Sequence, residues 1–381
     1  MIITLNIKNS IVFAESSSQN TARSSDVISE QEESFGIDSF LENSKKYSEE
    51  FLGDIDIKEL LNSAIKGEVD NTTFYKRFLN LLGSEVQTGI RDIASILIII
   101  VIHSILKSIS ESLNNSNISK LIYYVQYIAI VTIIMSSFSS IINVVKDAST
   151  NLIGFMNSLI PLLVSLMIYT GSITTSTILE PIILFMTNFI GNIIQDILIP
   201  IIMIITSISI ISKISDQVQI SKLTKFLKSS ATWFLGIILT IFVGVISLEG
   251  TLSSSVDGIT AKTTKAIVSS AIPVVGKILG DAVDTVLGCG IILKNAVGFI
   301  GVLIIVGICI VPIIKLTVIT LSYKLLSAVS EVIADDKIVK LLDEMGDIFK
   351  LLLAILFSIS VMIIIGTTLL IKMSNSGMMY R

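Results

Sequence analysis

Long apolar runs separated by short polar joints fill the chain from residue 93 to residue 372. Several runs reach about 20 residues, which is enough for an α-helix to cross a hydrocarbon core of about 30 Å. The runs are continuous and rich in Ile and Leu, whereas the strands of a membrane barrel would alternate in segments of about 10 residues. The pattern therefore predicts an all-α polytopic membrane protein with about six full transmembrane helices.

The second half of this pattern repeats the first. Pro161 closes an S-x-I-P segment, and the same type of segment returns 112 residues later, ending at Pro273. Pro200, deep in an apolar run, returns as Pro312 at the same offset. Each of these prolines marks a predicted helix kink or re-entrant turn, because proline removes a helical hydrogen bond. Duplicated modules are common in proteins that move something across a bilayer.

Two repeat units are predicted, at 152–249 and 264–371, after two transmembrane helices within 93–151 and before a short tail at 372–381. The most basic joint, 213–230, is assigned to the cytoplasm by its positive charge. With the N-terminal region outside, single crossings by every apolar run would leave this joint outside. We therefore expect two re-entrant or amphipathic segments, one at each S-x-I-P sequence, so that the units share one orientation as parallel repeats.

The N-terminal part of the chain has a different composition. Residues 1–14 read as a degenerate signal peptide, with a disordered tail as the alternative. Residues 15–92 are acidic, with 16 Asp and Glu against 8 Lys and Arg. Amphipathic stretches at 35–41 and 55–82 predict a small helical extracytoplasmic region. The Ser-rich, acidic segment 15–34 is expected to be disordered because it has little to bury.

Polar side chains at membrane depth are the sharpest functional signal. Four of them recur at helical spacing on one face of the run 181–212. One of the four is an Asp, and an ionised Asp at mid-bilayer costs about 2.5–3.5 kcal/mol, so it should face protein or water. They line a hydrophilic path or form a hydrogen-bonded seam between helices, and the pattern does not choose. A second set belongs to the path or to an amphipathic helix in the headgroup plane. The first set is Asn188, Asn192, Gln195 and Asp196, and the second is Lys277, Asp281, Asp284 and Lys294.

Lysines of the basic joints are expected to rest at the cytoplasmic lipid surface, with a docking site for a cytoplasmic ATPase as the alternative. His103, the sole histidine, lies inside the first span and is expected to form an interhelical hydrogen bond rather than to relay protons. Cys289 and Cys309 are expected to be packing residues. The lysines are Lys222, Lys225, Lys228, Lys337 and Lys340.

Other classes of function find little support in the residues. With one histidine inside an apolar span, a Ser-His-Asp triad is not expected, and the glycine pairs lack the strand–turn–helix context of a phosphate loop. We therefore expect no enzyme activity, no cofactor and no metal site. No basic cluster resembles a nucleic-acid surface, so nucleic acid is not an expected partner.

Several stretches resemble the stage III sporulation protein AE family of endospore-forming bacteria. The most specific is GDAVDTVLG at 280–288, with LKNAVG at 293–298 after it. The resemblance covers about 120–370. Further matching stretches are IYTGS at 168–172, EPIILFM at 180–186, VDGIT at 256–260 and IPVVGK at 272–277.

The resemblance implies a membrane subunit of the channel, or feeding-tube, complex between mother cell and forespore that late forespore development needs. The implied location is the mother-cell membrane around the forespore, with the N-terminal region in the intermembrane space. Implied partners are the other membrane and ring-forming subunits of the complex, stage II sporulation protein Q of the forespore, directly or indirectly, and a cytoplasmic ATPase. A self-contained secondary transporter and an assembly scaffold without a conduit of its own remain alternatives.

Overall fold

The computed structural model describes residues 18–53, 55–66, 71–112, 116–214, 221–271 and 275–376, so the predicted signal peptide and Pro273 fall outside it. Every regular element in these residues is helical. In chain order they are α1 (Ser18–Ser34), α2 (Ile37–Leu52), α3 (Ile57–Lys66), α4 (Asn71–Ser112), α5 (Ser116–Tyr169), α6 (Ile173–Asn192), a π-helical turn (Ile193–Leu198), α7 (Ile199–Ile214), α8 (Ser221–Ala271), α9 (Val275–Ser330) and α10 (Asp336–Ser376).

Six helical stretches within the described residues are long and apolar enough to cross a membrane. One lies in each of α4, α5, α8, α9 and α10, and one runs through α6, the π-helical turn and α7. The protein is therefore an all-α polytopic membrane protein, as predicted. The internal repeat stays a prediction. The stretches are Tyr75–Ile109, Lys120–Tyr169, Ile173–Lys213, Lys222–Glu249, Thr285–Ser330 and Asp336–Lys372.

One end of the bundle, which we call the basic end, gathers residues 103–112, 116–123, 209–214, 221–228 and 324–347. There the Tyr123 hydroxyl donates to the Lys213 carbonyl at 3.1 Å. The Lys213 ammonium lies 2.8 Å from the Glu344 carboxylate. These contacts bring the start of α5, the end of α7 and the first turns of α10 together, so alternate helix ends meet at the same end of the bundle.

Helix α5 contains the first S-x-I-P segment. The helix continues through Pro161 to Tyr169, and the chain reverses only at Gly171, whose φ is 88°. A proline inside a helix costs about 3 kcal/mol. Neighbouring Leu159 and Leu163 are fully buried, and each such side chain contributes about 1.5–3 kcal/mol, which offsets that cost. Re-entry of this segment is not confirmed. Six single crossings place both basic joints on the same side of the membrane without any re-entrant segment.

The other prolines also sit within helix. Pro312 lies inside the uninterrupted α9. Pro200 is the second residue of α7, directly after the π-helical turn. Proline has no N–H to offer the carbonyl four residues earlier, here Asp196, and clashes with it. The widened π-turn at this place fits that defect, and such turns are frequent at functional sites.

Helix α1 spans Ser18–Ser34, within the segment 15–34 for which disorder is the prediction. Ile28 packs against the core of the bundle. Gln31 is buried and donates through Nε2 to the Tyr169 hydroxyl at 3.1 Å. A short polar helix is marginal on its own, and tertiary contacts supply the stability that its composition lacks.

Helix α2 lies along α5 and α9 and keeps its charged face outward. Phe40 and Tyr47 both pack on the ring of Phe155, with ring centroids 5.9 and 6.0 Å apart. At its far end Arg77 of α4 donates to the Leu52 carbonyl at 2.5 Å, as a cation suits a helix C-terminus. The helix is thus anchored at both ends. Its buried apolar residues are Ile37, Phe40, Leu41, Phe51 and Leu52.

Candidate functional site: a polar groove along α5 and α9

The four polar residues of the first predicted stripe do not share one environment. Asn188 exchanges hydrogen bonds of 3.1 and 3.4 Å with Asn157 of α5. Gln195 donates to the Thr150 hydroxyl of the same helix at 3.1 Å. Asn192 and Asp196 are exposed on the outside of the bundle. Within one chain the stripe therefore forms a seam between α5 and α6 with an outward polar edge.

The second predicted set falls at the start of α9. The side chains of Lys277, Asp281 and Asp284 lie outside the described part of the chain. Lys294 is fully buried in α9 and does not face lipid. Cys289 and Cys309 of the same helix are both buried, which agrees with the predicted packing role.

Three of the five predicted surface lysines, Lys222, Lys225 and Lys340, are exposed. Lys228, Lys337 and Lys340 contact groups of the protein itself. These contacts are Lys228 with Asp347 at 3.9 Å, Lys337 over the Tyr123 ring at 5.9 Å, and Lys340 with Asp336 at 2.5 Å.

His103 ties α4 to the turn between α9 and α10. Its Nε2 lies 2.9 Å from an Asp335 oxygen, and Lys107 donates to the other oxygen at 2.5 Å. Burial acts to raise the pKa of Asp335, but the hydrogen bonds from Lys107 and His103 outweigh it and hold that pKa below its usual value. His103 therefore forms a hydrogen bond, as predicted, but its partner lies in a turn rather than on a second helix.

Two cavities that no sequence pattern indicated lie side by side along α5 and α9. The first, of about 510 Å³, is half open and bordered by α2, α5 and α9, and we call it the α2 cavity. The second, of about 430 Å³, is half open and bordered by α4, α5 and α9, and we call it the α4 cavity. Both are lined by Val144 and Lys315, so they adjoin. Together they form a polar groove in the described part of the bundle.

The groove has polar walls along α4, α5 and α9, which are apolar enough to span a membrane, and along α2, which is not one of the six stretches. Hydroxyl groups line the α4 cavity, and charged groups line the α2 cavity. Such a surface would destabilise a bundle that faced only lipid, because unpaired polar groups in hydrocarbon are costly. The hydroxyl residues of the α4 cavity are Thr88, Ser136, Ser137, Ser140 and Ser322, and its charged residues are Glu85 and Lys315. The charged residues of the α2 cavity are Lys46, Glu49, Glu50, Asp147 and Lys315.

Pro312 adds a backbone acceptor to the groove. Proline has no N–H, so the carbonyl of Ile308, four residues earlier, lacks its helical donor. Both residues line the α2 cavity. A water molecule or a polar solute in the cavity can take the place of the missing donor.

Comparison with known proteins identifies the family. The family described as Stage III sporulation protein AE matches residues 55–374. The chain belongs to this family. A curated relative, stage III sporulation protein AE of Bacillus subtilis (strain 168), is 31% identical over 306 residues, which cover 80% of this chain and 77% of the relative. No solved structure matches the chain.

The stage III sporulation protein AE match includes most of the groove but not all of it. Helices α4, α5 and α9 lie within 55–374, whereas α2 lies before it. Lys315 therefore belongs to the family-matched segment, and its partner Glu50 does not. The family name supports a role in sporulation and names no enzyme activity.

Asp257 is a buried charge that the sequence analysis missed, although it stands in one of the stretches that carry the family resemblance. It lies on α8, and its two carboxylate oxygens accept the backbone N–H groups of Thr174 and Thr175, each at 2.8 Å. It thus caps the N-terminus of α6 from 83 residues away in sequence. Only the tertiary structure could reveal this pairing.

Proposed function

We propose that this protein is a membrane subunit of the channel complex between mother cell and forespore that late forespore development needs. The observation that carries the proposal is the polar groove, which gives a membrane-embedded bundle a hydrophilic surface along two of its longest helices. The family supplies the sporulation context. The proposed location is the mother-cell membrane around the forespore, and the proposed chemistry is passage without catalysis.

The proposed topology follows from the basic end. Positive charge in the joint around Lys222 and Lys225 favours the cytoplasm. Since the ends of α4, α7 and α9 and the starts of α5, α8 and α10 meet there, six crossings place α1–α3 and the C-terminus on the opposite side. In the sporangium that side is the intermembrane space.

Partners are proposed from the surfaces that this topology leaves accessible. In the intermembrane space, α1–α3 present an outward acidic face to the ring-forming subunits and, directly or indirectly, to stage II sporulation protein Q. On the cytoplasmic side, the exposed Lys222 and Lys225 face the lipid headgroups or a cytoplasmic ATPase. Other membrane subunits pack on the lipid-exposed faces of the bundle.

The groove is tested by filling it. The double variant Ser137→Leu, Ser140→Leu replaces two lining hydroxyls with bulky apolar groups and is expected to abolish late forespore gene expression and heat-resistant spores. Protein level and co-purification of complex subunits should be unchanged. Ser139→Leu is the matched control, because Ser139 is exposed on α5 and does not line the groove. Normal spores from the double variant would contradict the proposal.

A scaffold without its own conduit is a second candidate, favoured by the outward charge of α1 and α2. Glu30, Glu33 and Glu42 are exposed. If the protein acts only as a scaffold, replacing these three residues with lysine should prevent complex assembly, while the groove-filling variant should sporulate normally. A self-contained transporter would instead show solute uptake by the purified protein in liposomes.

A further inference from the structure

Lys315 occupies the junction of the two cavities. Among the described residues it is the charged side chain that lines both of them. Its ammonium lies 2.7 Å from an oxygen of Glu50 on α2. The ion pair therefore stands where a solute would pass from one cavity to the other.

The pair can open without movement of the helices that carry it. Helix α2 is held on one side of Glu50 by the Tyr47–Phe155 contact and on the other by Arg77. The side chains of the pair are less constrained, since Glu50 is 61% exposed and Lys315 28% exposed. Long side chains with this exposure change rotamer within nanoseconds. A change of rotamer is enough to separate the two charges.

The charged lining favours cations. Four carboxylates line the two cavities against two lysines, so the groove carries an excess of negative charge. Confined charge of one sign concentrates counter-ions and raises their rates of encounter. The carboxylates are Glu49, Glu50, Glu85 and Asp147, and the lysines are Lys46 and Lys315.

We propose that the two cavities form one passage for hydrated cations and small cationic solutes, and that the Glu50–Lys315 ion pair is its gate. This inference rests on the proposed channel function and deepens it by naming a solute class and a gating contact. With the pair intact, the Lys315 ammonium blocks the junction and repels cations. With the pair broken, Lys315 is free to leave the junction, and the two cavities connect.

The gate is tested by the reactivity of a thiol in the α4 cavity. Ser137→Cys is introduced into the full-length protein in native membranes, with Cys289→Ser and Cys309→Ser removing the native thiols. The probes are a cationic trimethylammonium-ethyl and an anionic sulfonato-ethyl methanethiosulfonate. Lys315→Gln removes the ammonium group from the junction and is expected to raise the rate of the cationic probe about tenfold. The exchange Glu50→Lys with Lys315→Glu restores the pair and should restore the slow rate.

Ser139→Cys is the matched control, since its position lies outside the groove, and its rate should not respond to Lys315→Gln. The gate is refuted if Lys315→Gln leaves the reaction rate of the Ser137→Cys thiol unchanged, or if the cationic and anionic probes react equally fast. Spore formation is scored separately in the same strains. If the reaction rate of the Ser137→Cys thiol changes and the groove-filled cells form normal spores, the gate is upheld and the channel function is refuted. If that rate is unchanged and the groove-filled cells fail to form spores, the channel function is upheld and the gate is refuted.

Discussion

Single charged residues are held in this bundle by hydrogen bonds that replace water. Asp257 accepts two backbone N–H groups, and Asp335 accepts the side chains of His103 and Lys107. The sequence shows these aspartates, but it does not show their partners. His103 was predictable as a hydrogen-bonding residue because an isolated polar group at that depth needs a partner. Its partner, 232 residues away, was not.

Asp335 predicts a pH-dependent stability. Its pKa in the fold is below its usual value, so its contribution is complete above about pH 3.9 and is lost as the pH falls through the lower, folded-state pKa. Asp335→Asn is expected to lower the thermal unfolding midpoint of the detergent-purified protein at pH 7. The difference from the parent protein should shrink when the measurement is repeated toward pH 3.

Asp336→Asn is the control for this series. Asp336 is 80% exposed and pairs with Lys340 four residues later, an arrangement worth only about 0.3–0.5 kcal/mol. Its replacement should shift the midpoint little at any pH. Equal shifts from the two variants, or a difference for Asp335→Asn that widens in acid, would contradict the role given to Asp335.

The lengths and junctions of the helices show where sequence patterns succeed and fail. The apolar runs predicted the helical class and the membrane-crossing stretches, because length and hydropathy fix both. They did not predict that α5 continues as one helix through the polar joint before Pro161. The apolar side chains buried on the same turns offset the free-energy cost of a proline inside the helix. The stripe from Asn188 to Asp196 assumed a regular helix. The π-helical turn carries i→i+5 bonds, so that spacing does not hold through Ile193–Leu198.

Two glycines of α9 test how closely its neighbours pack. A Cβ on Gly290 would lie 2.9 Å from the ring of Tyr169, whose hydroxyl accepts the hydrogen bond from Gln31. A Cβ on Gly288 would meet nothing within 4 Å. Gly290→Ala should therefore destabilise the protein and loosen α1, whereas Gly288→Ala should be neutral or stabilising by up to about 1 kcal/mol.

Thermal unfolding and limited proteolysis of the N-terminal region measure both effects. Because the two positions lie on the same helix two residues apart, differences in helix propensity cancel. Equal behaviour of the two variants would show that α9 and the end of α5 are not packed as closely as the structure has them.

The whole molecule joins an acidic set of short helices to a six-crossing bundle with a polar groove on one flank. Composition alone separated these two parts of the chain. The groove could not be predicted, because its walls come from four helices whose residues are far apart in the chain, from Lys46 to Ser322, and the serines of α5 look like a minor break in an apolar run. The available signal was the cluster at 136–140, which holds four serines.

Sidedness is the property on which the channel account depends, and two exposed positions measure it directly. Ile173, at the start of α6, is 58% exposed, and Val332, in the α9–α10 turn, is 87% exposed. In intact cells expressing the protein without its native cysteines, a membrane-impermeant maleimide should label Ile173→Cys and should label Val332→Cys only after permeabilisation. Labelling of Val332→Cys in intact cells, with Ile173→Cys protected, would contradict the proposed topology.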